Sequence, residues 1–245
     1  VMAYATFADA PVDVAVIEVG MGGTWDATNV IDAEVAVITP INFDHQVWLG
    51  NTLDAITQEK AGIIKPGATV VSAIQPEEAA EILYTAAAAA GARLIREGVD
   101  IAVLERQVGV GGQLVTLRGT GGIYTDVFIP LHGAHQTHNA LLALTAVEAL
   151  MTGGGALPAE IVEAGFDAVT SPGRLELVRS SPTVLVDAAH NPHGMAATVA
   201  GIREAFAFRR LVAVVAVLAD KDAEGILAEL EPAVDEIVVT RSASN

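Results

Sequence analysis

The sequence predicts an α/β fold, a parallel sheet covered by helices and divided over two domains, and three observations carry that expectation. Short apolar runs rich in Val and Ile, such as VDVAVIEVG (Val12 to Gly20) and EVAVITP (Glu34 to Pro40), have the texture of strands buried on both faces. Segments with helical spacing separate such runs, so strand and helix alternate. The alternation breaks at a stretch of glycine-split β segments and restarts after a linker, which implies a second unit.

Each element follows in order. TLDAITQEKAGII has helical spacing, PGATVVSAI reads as a short strand, and PEEAAEILYTAAAAAGARL reads as a helix with Pro at its start and Gly91 at its end. From Asp100 to Pro130 the β-rich, Gly-punctuated texture predicts antiparallel hairpins at a sheet edge. HNALLALTAVEALM is helical. TGGGALP (Thr152 to Pro158) and TSPG (Thr170 to Gly173) are linker signals. Beyond them come strand TVLVDAA, helix GMAATVAGIREAF, strand RRLVAVVAVLA, helix AEGILAELEPAV and strand EIVVT. The expected domains are residues 1–173 and 174–245, the second ending on a strand and expected to be cut short.

Composition narrows the function. The longest apolar run, LVAVVAVLA (Leu211 to Ala219), falls well short of the roughly 18 residues that span a bilayer, so no membrane association is expected. The chain opens on Val1 with no charged-then-apolar leader, and a cytoplasmic location is expected. With no cysteine, disulfides, thiolate metal sites and a Cys nucleophile are excluded, and any metal must sit on oxygen or imidazole. Thirteen Lys and Arg against 30 Asp and Glu give a net charge of −17, a field that repels nucleic acid. An anionic small substrate needs local cations or a metal, which singles out the three lysines, Lys60, Lys65 and Lys221.

Ligands of open parallel sheets bind beyond the carboxyl ends of the strands. Glu18 stands at such an end, before glycines that allow close backbone approach, and is either a ligand or a carboxylate satisfied by nearby N–H groups. Asp44 and His45 follow the next predicted strand, where a lone imidazole is either structural or a metal ligand. Lys60 beside Glu59 reads alone as a solvated charge pair. His132, His135, His138 and Asn139 open a helix, with caps the simpler reading. Arg174 at the domain junction, with Asp187, His190 and Asn191 after a strand, suggests a cleft that handles phosphate. Spacing alone reaches a two-domain α/β enzyme.

The ensemble EVGMGGTWDATNV, DHQVWLG, EKAGIIKPG, GAHQTHNA, PGRLE and DAAHNPHG, in this order, resembles the folylpolyglutamate synthase and dihydrofolate synthase family of the Mur ligase superfamily over essentially the whole chain. The resemblance implies a Mur-type central ATPase domain followed by a Rossmann-like ligase domain, both partial. It implies an ATP-dependent amide ligase that joins L-glutamate to dihydropteroate or a folate through an acyl phosphate, a task of positioning and charge neutralisation. By the same likeness Glu18 and His45 are Mg²⁺ ligands and Lys60 is a carbamylated lysine that helps hold a second Mg²⁺. Asn139 resembles a nucleotide-contacting residue, and Arg174, Asp187 and His190 resemble the group that reaches ATP and the glutamate side. A monomer is the family default.

Two departures stand out. Thr24 occupies the position where the family pattern GMGGRxDATN has Arg. None of the three lysines follows a glycine, so the Gly-Lys-Ser/Thr signature of a P-loop is missing. The expectation is therefore a segment of the ligase whose P-loop lies upstream. The alternatives are another Mur-type amino-acid ligase, or a catalytically inactive binding remnant.

Overall fold

The computed structural model describes residues 2–10 and 12–241. They fall into two compact units, one within residues 2–101 and 145–154, the other within residues 102–144 and 155–241.

The first unit begins with helix α1 (Met2–Asp9) and is built on a parallel sheet of β1 (Val35–Ile38), β2 (Thr69–Ser72) and β3 (Arg93–Arg96), in that order. Helices α2 (Gln46–Leu49) and α3 (Leu53–Ala61) connect β1 to β2, and α4 (Glu77–Ala89) connects β2 to β3. The Thr52 hydroxyl caps α3 by accepting from the Ala55 N–H, and Pro76 opens α4. Ile38, Ile56, Val70 and Leu83 close the core. Fully burying each such side chain contributes about 1.5–3 kcal/mol, which outweighs the modest propensity of these short elements.

Two expectations are corrected here, and one is met. Val12 to Gly20 forms no strand, and Val16 is 94% exposed. A strand is fixed by its ladder partners, and the described residues offer this run none. The helix expected to end at Gly91 does so, with Gly91 at φ +59, and the chain continues as β3. The hairpins from Asp100 onward lie on no edge of the parallel sheet.

Those hairpins belong to the second unit as an independent antiparallel sheet of β4 (Ala102–Gly109), β5 (Gly112–Arg118) and β6 (Ile123–Ile129). Helix α5 (Ala134–Thr152) starts in this unit, and α6 (Ala159–Asp167) packs near β6. β7 (Glu176–Ser180) and β8 (Thr183–Val186) pair antiparallel, so TVLVDAA is a hairpin arm rather than the parallel strand expected. The α/β alternation then holds: α7 (Pro192–Ala205), β9 (Val212–Val215), α8 (Ala223–Leu230), a single 3₁₀ turn and β10 (Glu236–Val239), with β9 and β10 parallel. Met195 and Val199 of α7 pack with Ile226 and Leu230 of α8. Among the described residues no helix is long and apolar enough to cross a membrane.

Candidate functional site

The first unit carries a glycine loop seated on the carboxyl end of α3. The Thr24 N–H donates to the Glu59 carbonyl at 3.0 Å, and the Asn29 side-chain amide donates to the carbonyls of Thr24 and Gly62 at 2.9 and 3.1 Å. The approach is too close for side chains. A Cβ on Gly23 would stand 2.4 Å from the Glu59 oxygen and 3.1 Å from the Lys60 Cα. This is why the sequence reads GG here and Gly at position 62.

Asp26 organises the loop from within. Its carboxylate accepts from the Met21 N–H at 2.9 Å and from the Thr28 N–H and hydroxyl at 2.8 and 2.5 Å. These bonds, the Thr28 hydroxyl above all, lower its pKa to about 2 against the small opposing effect of burial. Asp26 and Asn29 were legible only as parts of a motif. The local signal was Asp followed two residues on by Thr, the pattern of an Asx turn.

Lys60 sits half-buried in the last turn of α3, directly under this loop. His45 occupies the left-handed region at φ 52 as the residue before α2, and its N–H donates to Asp44 at 2.8 Å. A non-glycine residue held there stores strain, which clusters at ligand sites. Gln75 supports the approach to it: its amide donates to the Thr39 carbonyl at 3.0 Å and accepts from the Ile41 N–H at 2.9 Å. Glu18 is exposed, outside any strand or helix. Among the described residues the buried Glu59 Oε2 has no hydrogen-bond partner.

The donor set decides what cation suits this unit. Among the described residues no group of three His, Asp or Glu side chains converges to hold a metal. These residues thus form no all-protein cage. Mg²⁺ needs no such cage, because it takes one or two carboxylates, keeps several waters and completes its shell with phosphate oxygens.

The second unit gathers the other predicted residues. One Asp187 oxygen accepts from the Leu175 N–H at 2.8 Å, and the other accepts from the Ala189 N–H and the Thr198 hydroxyl, both at 2.8 Å. The Ala188 N–H donates to the Gly173 carbonyl at 2.8 Å. Arg174 is thereby held beside the Asp187 turn, with its own side chain exposed. His190 is exposed, its Nδ1 3.0 Å from the Ala188 carbonyl. Asn191 caps α7 by accepting from the Gly194 N–H at 2.7 Å, with Pro192 behind it in the first turn.

Asn139 lies exposed on α5, its amide 3.2 Å from the Gln136 side chain. His135, on the same first turns, lies within electrostatic reach of Asp187 and Arg174. Burial, the largest influence, pushes its pKa below the ordinary value, while Asp187 works in the opposite sense. The structure therefore brings Arg174, Asp187 and the start of α5 into one neighbourhood.

The description "Mur ligase middle domain" matches residues 2–147, and "Mur ligase, glutamate ligase domain" matches residues 173–245. The dihydrofolate synthase/folylpolyglutamate synthase of Mycobacterium tuberculosis is 54% identical over 99% of this chain and 52% of its own length. The folylpolyglutamate synthase of Lacticaseibacillus casei is 36% identical over 90% of this chain and 52% of its own length. The solved Mycobacterium tuberculosis folylpolyglutamate synthase complexed with ADP and AMPPCP matches with a TM-score of 0.94, covering 99% of this chain and 55% of that one. An FPGS–AMPPCP–folate complex matches at 0.89 with 36% identity, covering 97% and 58%. The chain spans about half the length of the curated relatives it matches. With one family description covering well over half of its residues and a second covering most of the rest, the chain belongs to the Mur ligase family.

Proposed function

We propose that the chain is the central and glutamate-ligase segment of an ATP-dependent amide ligase that adds L-glutamate to dihydropteroate, to a folate, or to both. The observation that carries this reading is the seating of the Gly22–Thr24 loop on Glu59 and Lys60, because it fixes a close-approach glycine turn directly beside the one lysine of that helix. The 54% identity with a dihydrofolate synthase/folylpolyglutamate synthase supplies the substrate class.

In this reading the acceptor carboxylate takes the γ-phosphoryl group of ATP, the glutamate amine attacks the acyl phosphate, and phosphate leaves. The chain's own contribution is positioning. The tightly bonded loop from Met21 to Asn29 presents backbone at a fixed height above Lys60. The Asp187 turn holds Arg174 where its guanidinium meets phosphate charge. Asn139 contacts the nucleotide, and His190 faces the glutamate side. Mg²⁺, when bound, neutralises charge on the phosphates; Glu18 and His45 are the residues that would hold it, and a carbamylated Lys60 would help hold a second ion. The domain division near Gly173 belongs to this reading and is supported by where the second family match begins. So do a cytoplasmic setting, a monomeric enzyme, and no role for nucleic acid or membrane.

The test is inorganic phosphate release by the full-length protein with Mg-ATP, L-glutamate, and either dihydropteroate or tetrahydrofolate. Release that needs both glutamate and one of these acceptors supports the reading and identifies the acceptor. Release with a UDP-linked precursor instead would overturn it.

A further inference from the structure

Gln113 on β5 is a buried amide, 1% exposed, with an unusual number of obligations. Its NH₂ donates to the carbonyls of Leu131 and Gly133 at 2.8 and 3.0 Å, and its Oε1 accepts from the Arg106 Nε at 2.5 Å. The amide has one workable orientation, because the flipped form would set its oxygen against two carbonyls and its NH₂ against a guanidinium. Arg106, on β4, then turns the rest of its fork to Glu204 on α7, with contacts of 2.5 and 2.6 Å. A chain of hydrogen bonds, charge-assisted from Glu204 through Arg106 to Gln113 and neutral beyond it, thus runs from α7 through β4 and β5 to the turn that opens α5.

That turn is constrained from a second side. Gly133 has φ +92, and its carbonyl also accepts the Gln136 N–H at 3.1 Å, the first bond of α5. Gly201 of α7 packs so tightly that a Cβ there would stand 2.5 Å from a Leu175 methyl and 3.3 Å from the Gly133 Cα. Leu175 is the residue whose N–H Asp187 holds. The same turn of α5 is therefore gripped by α7 through packing at Gly201 and through hydrogen bonds at Glu204.

An isolated exposed ion pair contributes little to stability, and a buried amide costs free energy unless fully satisfied. An apolar residue at position 113 would fill the same space. What the polar chain adds is a fixed position, because every bond in it is directional.

We propose that Glu204, Arg106 and Gln113 are positioning residues that set the first turn of α5, and so the placement of Asn139 against the nucleotide; the last step rests on the function proposed above. None of the three touches substrate. They act through the carbonyls of Leu131 and Gly133.

The experiment is a double-mutant cycle with Glu204→Gln, Arg106→Met and the pair, plus the charge-exchanged pair Arg106→Glu/Glu204→Arg, in the full-length protein. Amide hydrogen exchange is read at Gln136 to Asn139 and at Ile226 to Leu230, and ADP affinity by calorimetry. Each single change is expected to speed exchange at Gln136 to Asn139 by roughly tenfold and to weaken ADP binding by a similar factor, with the pair no worse than either. Exchange at Ile226 to Leu230 is expected to stay within about twofold, and the charge-exchanged pair to recover part of the loss. Unchanged exchange at Gln136 to Asn139, or an equal rise at both places, overturns the proposal and leaves a stabilising bridge only. If the unaltered protein binds no ADP, the nucleotide reading falls, and the exchange comparison alone still decides whether these residues set α5.

Discussion

Gly62 approaches Thr24 so closely that a Cβ on it would stand 2.6 Å from the Thr24 Cα and 2.1 Å from its hydroxyl oxygen. Gly62 itself has helical backbone, φ −62, so Ala there would ordinarily strengthen the end of α3. Here the clash is with backbone, which cannot rotate away. Gly62→Ala is expected to destabilise the chain by about 1–3 kcal/mol, the cost of overpacking, and not to stabilise it. Thermal unfolding decides the sign, and a raised midpoint would show that the loop does not rest on α3 as described.

Asp26 makes the same loop acid-sensitive. Its folded pKa, about 2, lies below the 3.8 of an ordinary aspartate, so its contribution is complete above that value and is lost as pH falls toward about 2. Asp26→Asn removes an acceptor at neutral pH but has no such titration. Urea midpoints of the two proteins between pH 7 and pH 2 are therefore expected to differ most near neutrality and to converge in acid. A gap that stays constant with pH would mean that Asp26 is not held as a hydrogen-bonded carboxylate.

The parallel sheets and the α3, α4, α7 and α8 helices were legible because their apolar spacing, caps and glycines are local signals. Val12 to Gly20 shows the limit of such reading: its composition is that of a buried strand, but pairing is a property of neighbours and not of the run. The β7–β8 hairpin was misread for a related reason, since two short apolar arms look alike whether they pair parallel or antiparallel. Glu18, His45 and Lys60 stood out as polar residues around predicted strands and a predicted helix, although the run that holds Glu18 forms no strand. Gln75, Gln113 and Asp26 were not, because their importance lies in which backbone groups they bond across 18 to 36 residues or within one turn.

Asp187 illustrates how a residue singled out from sequence acquires a second role. Both of its oxygens face donors, so Asp187→Asn must set an NH₂ against a backbone N–H. The expected loss is about 1–3 kcal/mol, and Thr198→Val, which removes one donor only, should lose about 1 kcal/mol. Denaturant unfolding of the two variants provides the comparison. If Asp187→Asn proves as stable as the parent, the Asp187 turn does not hold Arg174 in place.

Lys60 sits in the last turn of α3, where a cation is favoured by the helix dipole by about 0.3–1 kcal/mol and an anion is disfavoured by a similar amount. A carbamate at this position therefore needs a compensating cation, and the two should appear together. Phosphate release by the full-length protein is expected to fall when CO₂ and bicarbonate are stripped from the buffer, to recover when bicarbonate is returned with Mg²⁺ present, and to be abolished in Lys60→Ala. Because the side chain is half-buried and its helix is held by Ile56 and the Thr52 cap, Lys60→Ala should leave the unfolding midpoint nearly unchanged. Turnover by Lys60→Ala at the parent rate, with or without bicarbonate, would remove Lys60 from the metal-holding set and leave the cation to Glu18, His45 and the phosphates.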